Sequence, residues 1–439
     1  MIENRDRLVT TDARDTALSC IEAGIEAGHP RRVVRDALSL EGDTLRIADA
    51  AYDLTRYDEV VVIGGGNAAA HVAAALEEVL ENRIDRGVVV TDDPAETDRV
   101  TVNEGDHPVP SERAVEGTRE VLAAADAADE RTLVLAAITG GGSALMPAPA
   151  GDVSLEDLQT TTNALLESGA DIHEINAVRK HCSALKGGQL ARRAAPATVV
   201  SLILSDVVGN DLSVIASGPM APDESTFADA LAVLERYEIE VPAAVSDRLE
   251  AGGAGEYPET PGPDDPAFET VSNHIVADGM TVLEAARDVA AERGYETLVL
   301  SSRIRGEARD AATMHVAVAE EMVATETPIS PPAVILSGGE TTVTVIGDGE
   351  GGPNQEFATS AALELEDRIT VAAVDTDGID GATDAAGALV DATTVEDRET
   401  ARAALATNDV YPYLDERDGL IVTGPSGTNL NDLRVLVVD

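Results

Sequence analysis

The chain has 439 residues, 44% of them hydrophobic, which is enough to bury a large core, and its length fits two or three domains. It carries 31 basic and 81 acidic residues, a net charge of −50, which argues against nucleic acid as a partner because phosphate backbones require a basic surface. Its two cysteines make no disulfide framework and show no metal-ligand spacing, and no stretch approaches the ~18 apolar residues of a membrane-spanning helix.

The acidity indicates the solvent in which the protein works. Acidic residues are abundant, lysine and aromatic residues are scarce, and a charge of −50 would repel itself strongly in dilute buffer. In molar salt the Debye length falls to roughly 3 Å, and this repulsion is screened. We therefore expect a halophilic protein that is cytoplasmic and has no membrane partner.

Short β-branched runs alternate with alanine-rich helical patterns, which predicts mostly parallel sheets with helices on both faces. The predicted strands cover residues 59–63, 132–138, 197–204, 296–300, 333–336, 369–374 and 420–422. Apolar residues at helical spacing predict one helix from Ala69 to Leu80 and another over 280–293, with Gly294 as its C-cap. A proline- and glycine-rich segment at 252–266 predicts a long loop, and we place there the boundary between domains 1–262 and 263–439.

Glycine-rich turns follow the first two strongly apolar strands. The first turn consists of Gly64, Gly65, Gly66 and Asn67, and the second of Gly140, Gly141, Gly142 and Ser143, preceded by Thr139. Such turns let a ligand approach the backbone and expose N–H donors to a phosphate or a carboxylate. Alternatively, they are tight turns that only allow close packing. Neither turn contains the GxGxxG fingerprint of dinucleotide-binding proteins or a P-loop lysine.

The two lysines of the chain, Lys180 and Lys186, lie six positions apart. The segment around them predicts a helix with Arg179, Cys182, Ser183 and Lys186 on one face, Lys180 pointing elsewhere, and glycines 187 and 188 ending the helix. An ammonium group suits a phosphate or a carboxylate, and an arginine can grip a carboxylate with two hydrogen bonds. The alternative is that both lysines are ordinary surface residues.

Acidic residues also follow predicted strands. Asp206 could hold Mg²⁺ or accept a proton from a substrate hydroxyl, and Asp375 and Asp377 could hold Mg²⁺ beside substrate phosphates. Glu340 follows Gly338 and Gly339 in a predicted strand-end turn before a hairpin strand at 341–346. Each of these acids could instead be a solvated surface group.

A glycine-rich stretch at 347–355 contains Asn354 and Gln355. This composition is typical of a flexible loop. It could act as a lid that closes over phosphates, or it could be a plain hairpin loop.

Taken in order, these segments resemble the glycerate 2-kinase family, whose C-terminal part is called MOFRL. The resemblance rests on GDHPVPSERA, TGGGSAL, INAVRKHCSALKGGQLA, SDVVGNDLSVIASGP, RGEARDAA, LSGGETTVTV, GGPNQEF, DTDGIDGATDAAGA and TGPSGTNLNDL. It implies a Rossmann-like N-terminal α/β/α domain with a mostly parallel sheet, a smaller α/β C-terminal domain and an active site in the cleft between them. The implied reaction is the ATP- and Mg²⁺-dependent phosphorylation of D-glycerate to 2-phosphoglycerate, and a homodimer is one expectation.

A kinase interpretation suggests roles for the residues singled out above. Lys186, Arg179, Asp206 and Glu340 would be catalytic, and Asp375 and Asp377 would hold the metal ion. The two glycine turns with Asn67 and Ser143, together with Gly338, Gly339 and Asn354, would bind the nucleotide.

Two positions depart from the family pattern. Asn67 stands where the family usually has lysine, and Pro353 where it usually has arginine. Two alternatives to the kinase stay open. One is an NAD(P)-dependent hydroxypyruvate reductase, against which the missing dinucleotide fingerprint counts. The other is a non-catalytic binder of sugar acids, which the two lost cations favour.

Overall fold

The computed structural model describes residues 1–48 and 50–439. The helices are α1 (Arg5–Leu8), α2 (Asp12–Gly28), α3 (Pro30–Ala37), α4 (Ala69–Leu80), α5 (Glu112–Asp126), α6 (Gly142–Leu145), α7 (Leu155–Glu167), α8 (Ile172–His181), α9 (Gln189–Ala194), α10 (Phe227–Arg236), α11 (Ala243–Gly253), α12 (Gly279–Glu292), α13 (Ala308–Thr325), α14 (Pro353–Glu364), α15 (Arg398–Ala406) and α16 (Val410–Asp415). The strands are β1 (Leu38–Glu41), β2 (Thr44–Ile47), β3 (Ala50–Asp53), β4 (Glu59–Gly65), β5 (Arg86–Thr91), β6 (Val100–Glu104), β7 (Thr132–Ile138), β8 (Thr198–Leu204), β9 (Val271–Ala277), β10 (Glu296–Glu307), β11 (Ala333–Thr342), β12 (Ile369–Asp375), β13 (Gly387–Asp391), β14 (Leu420–Ile421) and β15 (Asp432–Val438).

These elements form two compact units. The central unit comprises Val33–Val276, and the terminal unit combines Met1–Arg32 with Ala277–Asp439. This division differs from the expected one at 262/263, because α2 packs against α12 and β15 and so joins the start of the chain to its C-terminal part. None of the helices in the described ranges is both long and apolar enough to cross a membrane.

The main sheet of the central unit has the strand order β6-β5-β4-β7-β8-β9, and its pairings from β6 to β8 are parallel. Strands β4, β7 and β8 are buried along almost their whole length, as their continuous β-branched runs predict. Because these three strands are parallel neighbours, their carboxyl ends lie side by side at one edge of the sheet, where α/β proteins bind ligands. A separate antiparallel sheet is formed by β1, β2 and β3.

The sheet of the terminal unit has the order β10-β11-β15-β12-β13-β14. Only the β10–β11 pair is parallel, and the other pairings are antiparallel. The antiparallel register of β12 and β15 sets Asp375, the last residue of β12, opposite Asp432, the first residue of β15. Residues distant in sequence therefore meet at this end of the sheet.

The two helices predicted from apolar spacing are confirmed. Helix α4 covers Ala69–Leu80, and α12 covers Gly279–Glu292 with Gly294 at a positive φ of 89° just beyond it. The proline-rich segment at 252–266 is no connector between the units, however. Its Pro261 carbonyl accepts the Asp223 N–H at 2.9 Å, which ties the segment to the central unit.

The predicted turn at Gly338–Glu340 is wrong, because β11 continues through these residues to Thr342. A Cβ at Gly339, where φ is +120°, would overlap the backbone of Ile304. Glycine thus lets β11 pass β10 closely where their register shifts. Glu340 lies within the strand opposite Arg305, with an exposed side chain, and residues 343–346 form no hairpin strand. Its catalytic role stays a prediction.

Candidate functional site

The turns after β4 and β7 interlock. The Asn67 N–H donates to the Gly140 carbonyl at 2.8 Å, and the Ala68 N–H donates to Thr139 Oγ1 at 3.2 Å. A Cβ at Gly66 would overlap Thr139, and one at Gly141 would overlap the Asn67 side chain. These glycines are therefore required for contact between the two turns, whatever else they bind.

Asn67 is held by an acidic residue at the end of the neighbouring strand. Its Nδ2 donates to both carboxylate oxygens of Asp92, at 3.0 and 2.9 Å. Its Oδ1 is buried and has no hydrogen-bond partner among the described residues. Where the family resemblance predicts a lysine, the chain thus holds a neutral amide fixed by a carboxylate.

Asp206 follows β8 and its carboxylate lies against the second glycine turn, where a Cβ at Gly140 would overlap it. Burial raises the pKa of Asp206 above its usual value, and this effect is opposed by hydrogen bonds from backbone N–H groups, including that of Gly141, and by the nearby His107. A carboxylate with a raised pKa is a stronger proton acceptor once it is ionised. Asp206 is therefore suited to take a proton from a hydroxyl near this turn.

The predicted helix through the two lysines ends early, at His181. The hydroxyl of Ser183 accepts the N–H groups of Leu185 and Lys186, both at 3.1 Å, and so offers the backbone an alternative to the helix. Lys186 therefore lies in a turn and does not share a helical face with Arg179.

Neither lysine is a surface residue, since each is 5% exposed. Lys180 forms a buried ion pair with Asp223 at 3.0 Å. Its role in the structure is thus to pair with that carboxylate. Lys186 has a different environment.

The Lys186 ammonium reaches the second glycine turn, where Nζ donates to the Ser143 carbonyl at 2.6 Å and to Ser143 Oγ at 3.1 Å. Burial, together with the positive charge of Arg179, lowers the pKa of Lys186 to about 7. Burial also lowers the pKa of Arg179.

Arg179 makes no hydrogen bond or ion pair within residues 1–48 and 50–439. Lys186 is buried and Arg179 is half-buried, and neighbouring cations in such an environment repel each other. A bound anion would stabilise both. Lys186 thus contacts Ser143 and lies near enough to Arg179 for their charges to interact, although not through the shared helical face that the sequence predicted.

Sequence reasoning missed two side chains that complete this arrangement. Ser217 Oγ lies 2.9 Å from Ser143 Oγ and donates to Asn176 Oδ1 at 2.9 Å. Both residues lie in segments that carry the family resemblance, which was the available signal. Nothing in the local pattern could pair residues that are 41 positions apart.

In the terminal unit, a cluster of carboxylates surrounds the ends of β12 and β15. Burial and the charges of Asp377 and Asp432 raise the pKa of Asp375 well above its usual value. Burial raises the pKa of Asp380 to about 7, although its carboxylate accepts the N–H groups of Asn354 and Gln355 at the start of α14.

Asn354 lies in the first turn of α14, so the prediction that it belongs to a flexible loop is wrong. Its Nδ2 donates to Asp432 at 2.6 Å and to Asp380 at 3.2 Å, which links the two acids. Pro353 is the first residue of the helix, a position that favours proline because the N–H there has no helical partner. The departure from arginine at 353 is therefore compatible with the local fold.

The cluster fits a magnesium ion in one respect. The carboxylates around Asp375 repel each other, and a divalent cation would relieve that repulsion. Across the described ranges, no group of three or more histidine, cysteine or acidic side chains is arranged as a metal site. Mg²⁺ commonly uses only one or two carboxylates, with water and phosphates completing its shell, so Asp375 and Asp377 stay the predicted ligands.

The comparisons with known proteins agree with this architecture. The sequence profile of a domain of unknown function, DUF4147, matches residues 16–250, and that of the MOFRL family matches residues 333–432. A glycerate 2-kinase of Pyrococcus horikoshii is 40% identical over 98% of this chain and 98% of its own. A crystal structure of a glycerate kinase from Thermotoga maritima has a TM-score of 0.85 and 38% identity, covering 97% of this chain and 99% of that one. A protein of Agrobacterium vitis provisionally named hydroxypyruvate reductase is 40% identical over 86% of this chain and 87% of its own.

The two units and the two profile matches define the class, an α/β protein with a DUF4147 region followed by a MOFRL region. The relatives match over nearly the whole chain, which identifies the family as well. The chain belongs to the glycerate 2-kinase family, and the resemblance stated from its motifs is confirmed.

Proposed function

We propose that this protein is a kinase that transfers the γ-phosphoryl group of ATP to the 2-hydroxyl of D-glycerate, giving 2-phosphoglycerate. Family membership over nearly the full length supports the proposal. The observation that carries it in this chain is the pair of desolvated cations, Lys186 and Arg179, beside the Ser143 turn. Phosphoryl transfer depends on positioning and charge stabilisation more than on covalent chemistry by the protein, and such a pair supplies both.

Each central-unit residue has a proposed task. Lys186 and Arg179 bind the anionic groups of substrate and nucleotide, and the charge of the bound anion keeps Lys186 protonated. Asp206 accepts the proton of the hydroxyl as its oxygen attacks phosphorus, which the raised pKa of this carboxyl favours. The turn at Gly140–Gly142 allows close approach of a phosphate to the backbone.

In the terminal unit, we assign Asp375 and Asp377 to magnesium. The bound ion would neutralise phosphate charge during transfer. Asn354 has a positioning task, because it links Asp380 and Asp432 and so orders the segment that carries both proposed ligands.

Asn67 and Pro353 are uncharged, so the positive charge available for phosphate comes mainly from Lys186 and Arg179. The amide of Asn67 is already held by Asp92, and Pro353 begins a helix, so neither brings a cation to a phosphate. Lys186 and Arg179 must then carry more of the charge neutralisation.

A coupled assay of ADP release with D-glycerate in molar KCl tests the proposal. We expect Lys186→Ala to lose about 10³-fold in kcat/KM, as removal of a cation from a phosphoryl-transfer site does. Arg35→Ala is the matched control, because it removes an exposed cation that pairs with Glu78 elsewhere in the same unit. The acidic composition supports a salt-adapted protein, so the wild-type rate should fall as KCl is withdrawn.

The same preparation distinguishes the named alternative. Absence of ADP together with hydroxypyruvate-dependent loss of reduced-nicotinamide absorbance would replace the kinase with a reductase. Equal rates for Lys186→Ala and wild type would exclude Lys186 from the mechanism. The kinase assignment would then be supported by family membership alone.

A further inference from the structure

Four polar side chains of the central unit form one continuous chain of hydrogen bonds. Lys186 Nζ lies 3.1 Å from Ser143 Oγ, Ser143 Oγ lies 2.9 Å from Ser217 Oγ, and Ser217 Oγ lies 2.9 Å from Asn176 Oδ1. Ser217 and Asn176 are 1% and 2% exposed, whereas Ser143 is only half-buried. The chain therefore runs from a buried amide to a serine that keeps part of its surface exposed.

The direction of these hydrogen bonds can reverse. In the first direction, protonated Lys186 donates to Ser143, Ser143 donates to Ser217, and Ser217 donates to the amide oxygen of Asn176. The amide nitrogen of Asn176 is buried and has no partner in the described part of the chain. Rotating this amide by half a turn replaces its acceptor with a donor, so that Asn176 donates to Ser217, Ser217 to Ser143, and Ser143 to Lys186.

The reversed chain requires a neutral lysine, which the surroundings provide. Burial and the positive charge of Arg179 bring the pKa of Lys186 to about 7. Asp223, whose carboxylate lies beside Gly187, is already paired with Lys180. A neutral Lys186 can still donate to the Ser143 carbonyl at 2.6 Å while its lone pair accepts the Ser143 hydroxyl proton.

We propose that Ser143 is a nucleophile activated by Lys186, and that the protein hydrolyses small activated acyl esters through an ester formed on Ser143. A serine within hydrogen-bond reach of a basic lysine, itself oriented by a further contact, has the geometry of nucleophilic catalysis. The kinase reaction proposed above does not use Ser143 in this way, so this activity goes beyond it.

The chemistry balances with water as the second substrate. Ser143 Oγ attacks the carbonyl carbon of the ester and its proton passes to Lys186 Nζ. The bond to the leaving alcohol breaks, and the alcohol takes that proton from Lys186. A water molecule, deprotonated by Lys186, then attacks the acyl group, and Ser143 leaves with the proton returned, giving the free acid.

A fluorophosphonate probe tests the nucleophile directly. Its phosphorus forms a bond to a reactive serine oxygen and loses fluoride, with the serine proton going to the base. Folded wild-type protein in molar KCl without nucleotide should gain the mass of one adduct, and peptide mapping should place it on Ser143. Folded protein without an adduct, or with the adduct on another serine, would overturn the proposal.

Variants distinguish the role of Lys186 as a base from its role as a positive charge. Ser143→Ala should abolish the adduct, and Ser246→Ala should keep it, because the Ser246 hydroxyl donates to the Ala243 carbonyl of its own helix and is not part of this chain of hydrogen bonds. Lys186→Arg keeps a positive charge but cannot act as a base near pH 7, so labelling should slow by at least 100-fold. Labelling of this variant at the wild-type rate would rule out the lysine base.

The pH profile tests the reversible chain. The wild-type labelling rate should rise with pH and level off above about 8, as Lys186 loses its proton. Asn176→Asp can only accept from Ser217 and adds a negative charge, so its midpoint should move to higher pH. An unchanged midpoint would show that Asn176 does not orient the chain. Because labelling needs no ATP, a protein inactive as a kinase can still support this proposal, and the reverse also holds.

Discussion

Two arrangements of charged side chains, one in each unit, differ in how their charge is balanced. In the central unit, Arg179 has no counter-ion in the described structure and lies near a second cation, Lys186. In the terminal unit, the carboxylate of Asp432 is paired with the fully buried Arg434 and accepts from Asn354. The comparison teaches that a bound anion would stabilise the first arrangement, whereas the charge of Arg434 is balanced within the protein, although its Nε and Nη1 have no hydrogen-bond partner among the described residues.

The largest expected effect concerns the pair in the terminal unit. Asp432→Ala leaves Arg434 buried without its carboxylate, so it should lower the free energy of unfolding by about 3–5 kcal/mol. Asp418→Ala, which breaks an exposed pair with Arg7, should cost less than about 1 kcal/mol. Denaturant titration in molar KCl measures both.

A double variant sharpens this result. Replacing both partners, as Asp432→Leu with Arg434→Met, should recover much of the loss, because an apolar pair leaves no isolated charge. If the single variant were as stable as the wild type, the terminal unit would not depend on internal pairing, and the contrast between the units would disappear.

The next largest effect is the change in stability with pH that Lys186 causes. The pKa of Lys186 falls from 10.5 to about 7 on folding, so between these values the unfolded chain binds more protons than the folded one. Stability therefore rises with pH across this window, with a contribution of up to about 1.4 kcal/mol per pH unit. Lys186→Met should remove that contribution.

Denaturation midpoints at pH 7, 8 and 9 for the wild type and Lys186→Met measure the difference between their slopes. Lys180, whose ammonium is paired with Asp223, contributes no such unpaired charge. Identical slopes for the two proteins would mean that Lys186 is not desolvated in the folded state.

The smallest effect concerns Asn67. Asn67→Lys adds a cation to the first glycine turn, but Asp92 already binds this side chain and would neutralise much of the added charge. We expect less than about a tenfold gain in kcat/KM for D-glycerate, which corresponds to ~1.4 kcal/mol. The coupled ADP assay measures it, and Asp92→Asn combined with Asn67→Lys should give the larger gain. A loss in both variants would show that no phosphate lies near position 67.

Local pattern predicted what depends on neighbours in sequence. The alternation of apolar strands with glycine turns predicted the parallel sheet and placed Asp206 at a strand end. The pattern failed where a single side chain or a distant segment decides the outcome. Ser183 ends the helix before Lys186, and Gly339 lets β11 continue past Ile304.

The partners of the site residues were the least predictable feature. Ser217 meets Ser143 across 74 residues, and Asp375 meets Asp432 through antiparallel pairing. No periodicity encodes such contacts, because they follow from the order of strands in a sheet. The family resemblance supplied the segments but not which atoms in them touch.

The order of strands in the terminal unit has a consequence for folding during synthesis. Strand β15 lies inside its sheet, between β11 and β12, although it follows them in sequence. The central unit is contiguous in sequence and can fold as soon as it has left the ribosome. Helix α2 is made before it yet packs on α12 and β15, so the earliest helices must wait, without their partners, until the whole of the central unit has been translated.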